Sequence, residues 1–526
     1  MEKKPEKVSI DDALSETKFG KFNYILILLC GLVMINVVLE CVGISFVLPV
    51  INCDMDLSFQ KKGILGAVGF FGMIFSSHLW GFLADTTGRR KVMRPTLFVG
   101  YFVTVLSSFS PNFWTLAVLR FINGFMLCGS SATVYAFLGE FHCNKLRTRA
   151  LMTSAFISAV AAIFFPLSAW AVINQTWTVE IPLINLTYTP WRMYILLIGS
   201  LGLICGLSLF FIPESPKYLL SVGEEEAAMN VLRKMYSINT GQSRDSFKIN
   251  SIKPDNEEIQ RFKVANGKSV KDIVKSMWNQ TVPLFMREHC RKTMLACFIQ
   301  FWTFYTAHGV YMWFPYILNK VMQYTNEYPS TNLDVCDIIY SMAEKTRNAH
   351  LNVTTGISVD NKVCDKVLEN STYKHSLFLE FIYVSLFLCI GFLTGKVGRI
   401  PTLFTILFVC GACGVLSALV TIPMVAVYFH IILLISGLGT TVVNVIVVDI
   451  FPTNLRAMAV CISLMLGRIG SVTGAYVFGT LIEHYCKTSL FVATIPMIAC
   501  AFLSLLLPSD VNKKKEKNSN VDNDDV

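Results

Sequence analysis

Charge is scarce in this chain, and so are the signatures of bond-breaking chemistry. Asp, Glu, Lys and Arg supply 15% of the 526 residues, against 53% hydrophobic ones. That balance excludes a single soluble core, because one core cannot bury so much apolar surface. No Walker loop, HExxH or GxSxG string occurs. ATP hydrolysis and other covalent chemistry therefore have no visible machinery, and the chain does not read as an enzyme. No cofactor and no metal centre is expected. A cleavable leader is not visible either: the first apolar run is too long for an h-region and lacks a small-residue cleavage site, so it should stay as a first span.

What is present is apolar sequence bunched into stretches of about 20 residues, enough for a helix to cross ~30 Å of hydrocarbon. Amides in lipid must pair within their own segment, so these runs are helices. Twelve spans are read. The first six are Tyr24 to Val50, Ile64 to Ala84, Pro95 to Phe109, Trp114 to Gly139, Ala150 to Ile173 and Trp191 to Ile212. The second six are Thr293 to Leu318, Ser376 to Thr394, Pro401 to Thr421, Met424 to Val448, Ala457 to Ile482 and Ser489 to Leu507.

Lys and Arg in short loops set the orientation. Arg89, Arg90, Lys91 and Arg94 follow span two, Lys145, Arg147 and Arg149 follow span four, and Lys396 and Arg399 follow span eight. The turns after spans three and nine and the loop Asn174 to Pro190 carry no Lys or Arg. The basic loops and both termini are thus expected in the cytosol, and the formal net charge of +9 reads as topology rather than nucleic-acid binding. Glycosylation sequons at Asn174, Asn185, Asn352 and Asn370 fall in outer loops, and one at Asn279 falls inside. Cys336 and Cys364 share the long outer loop Asn319 to His375, where an oxidising lumen allows them to pair. In the inner segment Pro213 to Lys292, Glu224 to Tyr236 reads as a helix. Val270, Ile273, Val274, Met277 and Trp278 form an apolar stripe behind Ser269 and Asp272, suited to the inner membrane surface or to a solvated linker helix.

The halves are related. Gly81-Phe82-Leu83-Ala84-Asp85-Thr86-Thr87-Gly88-Arg89-Arg90 returns 310 residues later as Gly391-Phe392-Leu393-Thr394-Gly395-Lys396-Val397-Gly398-Arg399-Ile400, identical at five of ten positions. Glu140 and Arg147 stand seven apart after span four, as do Asp449 and Arg456 after span ten, and each Arg follows a Leu. The expected fold class is an all-α membrane protein, twelve transmembrane helices in two six-helix pseudo-symmetric bundles. The domains are then an N-terminus over 1–23, a bundle over 24–212, a cytosolic linker with amphipathic helices over 213–292, a second bundle over 293–507 that includes the outer loop 319–375, and a disordered cytosolic tail over 508–526.

These motifs, with Arg120 and Gly124 and Pro213-Glu214-Ser215-Pro216-Lys217, resemble the signature set of the major facilitator superfamily. Within it, Val47-Leu48-Pro49, Asp54 to Ser58, Trp80-Gly81 and Trp313-Phe314-Pro315 are most similar to the synaptic vesicle glycoprotein 2 family. The outer loop is much shorter than in the vertebrate members, so a receptor role does not carry over. The resemblance implies a monomeric transporter of a small organic solute, working by alternating access with or without proton coupling. It also implies a vesicle or plasma membrane. Two alternatives stay open: a vesicle glycoprotein that keeps the fold but serves as a binding or trafficking partner, and a sugar or organic-ion uniporter.

Charges inside the spans are the best pointers to a pathway, since each is costly unless wet or paired. Glu40, on one helical face with Asn36, is the leading candidate for a cation or a proton; Arg120 and Arg468 are candidates for an anionic solute, or are paired to lock helices. Gln300 in span seven and Thr440, Thr441 and Asn444 in span ten offer neutral polar groups. By resemblance, Trp170 and Trp313 match two tryptophans that line the central cleft, and a second and third cavity acid are replaced here by Val37 and Asn444. Also by resemblance, Gly81, Asp85, Gly88, Arg89, Arg90, Glu140, Arg147 and Arg149, with Gly398, Arg399, Asp449 and Arg456, form a cytoplasmic latch. With Gly395 in the place of Asp85, the second copy should be the weaker one.

Overall fold

The computed structural model describes residues 8–55, 57–249, 251–252, 278, 281–329, 332–354, 367–451 and 453–508. Two compact units emerge. Unit 1 comprises 1–57, 68–275 and 365–384; unit 2 comprises 58–67, 276–364 and 385–526.

In unit 1, a short helix α1 (Ile10–Glu16) precedes α2 (Lys21–Val42), which α3 (Ile44–Val50) continues. Then come α4 (Phe59–Thr87), whose first residues belong to unit 2, α5 (Arg89–Ser108), α6 (Phe113–Glu140), and α7 (Asn144–Ala161) followed by α8 (Phe164–Ile173). The helix starts follow local chemistry. Asn112 caps α6 by accepting the Thr115 N–H at 2.9 Å, and Pro190 supplies the preset φ that opens α9 (Pro190–Ser208). Between α8 and α9, the strands β1 (Val179–Ile181) and β2 (Leu186–Tyr188) form an antiparallel hairpin with Ile181 opposite Leu186. Asp54 fastens that end of the unit, accepting from Thr189 Oγ1 and Trp191 Nε1 at 2.6 and 2.7 Å.

The N-terminal helix α1 and the described start of the linker, up to residue 252, are walls of unit 1. Ala13, Leu14, Phe22 and Leu26 share one buried core with Ala228, Met229, Leu232 and Met235 of the amphipathic helix α11 (Glu225–Thr240), which follows α10 (Pro216–Val222). The core extends to Phe247 and Ile252. Apart from Trp278, the predicted stripe from Ser269 lies outside the described residues, as does the tail from 509.

Unit 2 opens with α12 (Arg287–Phe304), a π turn at Tyr305–Val310, a single 3-10 turn at Tyr311–Trp313 and α13 (Phe314–Glu327). The predicted outer loop is largely helical. α13 runs past Leu318 because Val321, Met322 and Tyr324 continue its buried stripe, and α14 (Val335–Thr354) follows. Hydropathy ends at Asn319-Lys320, but amphipathic burial does not. Then come α15 (Asn370–Lys396), whose residues up to 384 belong to unit 1, α16 (Arg399–Leu419), α17 (Pro423–Leu434), α18 (Gly437–Ile450), α19 (Thr453–Ile482) and α20 (Cys486–Ser504). Among the described residues, ten helical segments are long and apolar enough to cross a bilayer unaided. Spans three and seven, α5 and α12 with α13, begin instead with basic clusters at Arg89 to Arg94 and Arg287 to Lys292. Phe75, Phe102 and Phe392 are more than 60% exposed, a liability in water and ordinary against lipid tails.

Candidate functional site

Glu40 and Arg120 meet inside unit 1. Arg120 Nη1 donates to Glu40 Oε2 at 3.0 Å, and the two side chains are 4% and 1% exposed respectively. Thr104 of α5 donates through Oγ1 to Glu40 Oε1 at 2.7 Å, and Asn123, one turn after Arg120, donates through Nδ2 to Thr104 Oγ1 at 2.7 Å and to the Gly100 carbonyl at 3.1 Å. A Cβ at Gly199 of α9 would stand 2.6 Å from Glu40 Oε1, so glycine there lets the helix close over the carboxylate. Asn36 lies one turn back, against Gly202. Of the two readings that the sequence left open, separate binding groups or charges paired to lock helices, the structure shows the two charges as each other's partner. Thr104 and Asn123 were missed, because neutral polar residues in a span carry no signal until a carboxylate is seen beside them.

The repeated turns fold alike. Gly88 has φ +111° and ψ 147°, and Gly398 φ +102° and ψ 161°, a region essentially confined to glycine. Each lets a helix stop and the next begin with an arginine. Arg89 pairs with Asp85 at 3.1 Å and with Glu140 at 3.0 Å, and Arg399 pairs with Asp449. Glu214, a residue named only for the family motif, closes the first turn by accepting the Arg90 and Lys91 backbone N–H groups at 3.0 and 3.3 Å, while Arg90 caps the end of α9 through the Leu209 and Phe210 carbonyls. Burial, then the nearby Glu214 carboxylate, push the Tyr218 phenol above its ordinary range; its hydroxyl donates to the Thr86 carbonyl at 3.0 Å. Arg147 packs against Gly139, where a Cβ would meet its Nε at 2.7 Å. No carboxylate lies within ion-pair reach of Arg147 or Arg149 among the described residues, Gly81 has open space around its Cα, and the Arg456 side chain falls outside the description.

In unit 2, Gln300 donates to Asn444 Oδ1 at 3.2 Å. The Thr440 and Thr441 hydroxyls donate to carbonyls of their own helix, and Arg468 is half-buried on α19. Trp313 is fully buried, donates its indole N–H to the Ala475 carbonyl at 2.9 Å and lies against Gly479; its polar atom is committed to helix packing. Trp170 of unit 1 donates to Asn370 Oδ1 at 3.1 Å and stacks on Tyr373. Asn174 donates to the same oxygen at 2.9 Å, and Asn185 stands on the exposed hairpin turn with φ +46°, so these three sequon asparagines share one end of unit 1. The Asn352 side chain is not described.

The expected Cys336–Cys364 bridge is overturned: Cys336 is bonded to Cys486, their Cα atoms 5.5 Å apart. The first turn of α14 docks on the start of α20, where Lys487 reaches Asp334 at 2.6 Å and Tyr340 Oη accepts the Cys486 N–H at 2.7 Å. Cys486 was overlooked because it sits in the short polar turn between two spans, outside the long outer loop where a partner for Cys336 was sought. Burial raises the Asp334 carboxyl, but its bonds to Lys487 and to the Asp337 N–H outweigh this and hold it below the usual range. Cys364 lies outside the described residues.

A family model described as Major Facilitator Superfamily matches residues 26–341 and 376–523. Human synaptic vesicle glycoprotein 2B is 25% identical over 315 residues, 57% of this chain and 46% of that protein. Synaptic vesicle glycoprotein 2A of Pongo abelii is 24% identical over 385 residues, 70% and 51% of the two. The chain spans about half the length of these curated relatives. Among solved structures, the partially occluded inward-open xylose transporter XylE of E. coli aligns with a TM-score of 0.62 at 14% identity, covering 93% of this chain and 100% of that one. A bacterial homologue of the human lysosomal transporter Spinster aligns at 0.57 and 13% identity, covering 92% and 96%. Likeness at such identity shows the fold alone.

Proposed function

Because this chain belongs to the Major Facilitator Superfamily, we propose that it is a secondary transporter carrying a small organic solute by alternating access, with protonation of Glu40 as the coupling step. The buried Glu40–Arg120 pair carries this reading. Desolvating two charges costs several kcal/mol each, and packed apolar side chains would hold α2 to α6 at least as well. A carboxylate that one proton can neutralise gives the unit two electrostatic states instead. With Val37 and Asn444 neutral, Glu40 is the single acid among the pathway candidates. Asn36, Trp170, Gln300, Thr440 and Arg468 are proposed to contact the solute, and the ion-paired turns at Gly88 and Gly398 to hold the ends of their helices through the cycle. The vesicle glycoproteins among its relatives favour a vesicle membrane, with both termini in the cytosol.

The test is uptake by proteoliposomes containing the full chain, with lactate, glucose and tetraethylammonium as probes under an inward proton gradient. Glu40→Gln should abolish gradient-driven accumulation of whichever probe is carried. Unchanged gradient dependence in that variant removes Glu40 from the mechanism. Similarity to synaptic vesicle glycoproteins also favours a second reading, a trafficking partner. There, deleting 332–354 should abolish the cellular phenotype while Glu40→Gln leaves it intact.

A further inference from the structure

The two oxygens of the Glu40 carboxylate are not equivalent. Oε1 accepts from Thr104 at 2.7 Å and Oε2 accepts from Arg120 Nη1 at 3.0 Å. The direction of the first bond is set from behind. The Gly100 carbonyl can only accept, so Asn123 must present Nδ2 to it, and the second hydrogen of that amide then points at Thr104 Oγ1. With its oxygen already accepting, Thr104 turns its own hydrogen to Glu40 Oε1. Glu40, Thr104, Arg120 and Asn123 are each 3% exposed or less, so a partner lost here is not replaced by solvent. Arg120 of α6 is the one charged or titratable group facing the carboxylate among the described residues; α5 presents Thr104, α9 presents Gly199, and α2 itself presents Asn36.

We propose that Thr104 and Asn123 are positioning residues that direct the incoming proton to Oε2, the oxygen held by Arg120, so that protonating Glu40 and releasing Arg120 become one event. This rests on the reading of Glu40 as the coupling carboxylate. A proton on Oε1 would face the Thr104 O–H. That hydroxyl would have to give up its charge-assisted bond and turn, while Asn123 still occupies its oxygen, toward the Gly100 carbonyl that Asn123 already engages. A proton on Oε2 instead meets Nη1–H, donor against donor, and the guanidinium has to leave. One O–H bond forms, one Nη1–H···Oε2 hydrogen bond is lost, and Arg120 keeps its own protons and charge. Nothing else holds it as firmly: its Nε and Nη2 have no hydrogen-bond partner among the described residues, and its remaining bond, to the Glu40 carbonyl, is long at 3.4 Å.

The full chain in lipid nanodiscs tests this without any solute. Across a pH series, infrared spectroscopy follows the carboxyl band that Glu40→Gln removes, and mass spectrometry counts phenylglyoxal adducts on Arg120. In the native chain and in Thr104→Ser the two midpoints should coincide. In Thr104→Val they should separate, with Arg120 roughly tenfold less reactive at the carboxyl midpoint, the equivalent of one pH unit. Asn123→Leu, which frees Thr104 to turn, should separate them too and serves if Thr104→Val does not fold. Coinciding midpoints in a folded variant of either kind overturn the proposal. If no band disappears in Glu40→Gln, the coupling reading itself falls.

Discussion

Arg89 and Glu140 join the start of α5 to the end of α6 through an ion pair at 3.0 Å, their side chains 16% and 13% exposed. The counterparts Arg399 and Asp449, 310 and 309 residues further on, are paired as well, with more solvent around them. Replacing Asp85 by Gly395 in the second copy removes the solvent-side member of the cluster and leaves the inner bond.

That geometry separates two carboxylates the motif treats alike. Asp85 is 74% exposed, and a pair so open to water contributes about 0–1 kcal/mol. Glu140→Gln leaves Arg89 with that exposed partner alone and should cost about 2–3 kcal/mol, approaching the penalty for a broken buried pair. Thermal unfolding in detergent should rank Glu140→Gln well below Asp85→Asn; equal losses would contradict this.

The two turn glycines should differ under the same substitution. Both positive φ values penalise alanine by about 1–3 kcal/mol. At Gly88 the new Cβ would also stand 2.7 Å from Glu214 Oε2, whereas at Gly398 its nearest neighbour is Pro401 Cδ at 3.7 Å. Gly88→Ala should therefore lower the melting temperature more than Gly398→Ala, and the reverse order would refute the close contact.

Peptide mapping without reduction should recover Cys336 linked to Cys486. Cys336→Ser and Cys486→Ser should destabilise equally, by about 2–4 kcal/mol, because either opens the same 150-residue loop. Recovery of Cys336 bonded to any other cysteine would count against the docking of α14.

The N-terminal segment should loosen in acid. Phe22 N–H fixes Asn239 Oδ1, Gly20 N–H fixes Asn23 Oδ1, and Asn23 Nδ2 is left facing His142 Nε2 at 3.1 Å while Nδ1 donates to the Leu138 carbonyl at 2.8 Å. Only neutral His142 satisfies this chain. Burial pushes its pKa down from 6.5, outweighing the carbonyl that pulls it up. The unfolded chain then binds more protons below about pH 6.5, so this stabilisation is complete above that pH and is lost as pH falls below it. Hydrogen exchange of residues 10–23, normalised to intrinsic rates, should show protection falling between neutral and mildly acidic pH; constant protection would exclude the switch.

Much of the fold was legible because lipid allows few solutions. Apolar runs of span length must be helices, and Gly88 and Gly398 recur at one offset in a duplicated string. Hydropathy misled where burial was against protein instead of lipid: α14 was read as loop and α1 as part of a terminus, whereas α11 was read as a helix but not as part of the unit 1 core. The candidate site was half visible. Glu40 and Arg120 stand out as charges in apolar runs, but Thr104, Asn123 and Glu214 look ordinary until the acid or turn they serve is beside them.

By itself, then, the order of residues determined the solvent, the helical state of the long apolar runs and the duplicated turns, all of which follow from local chemistry repeated along one chain. Tertiary structure alone decided that Glu40 faces Arg120, that Thr104 aims its hydrogen at one carboxylate oxygen, and that Cys336 bonds to Cys486. Such pairings depend on which helices pack and at what rotation, and sequence separations of 64 to 150 residues carry no local signal of that.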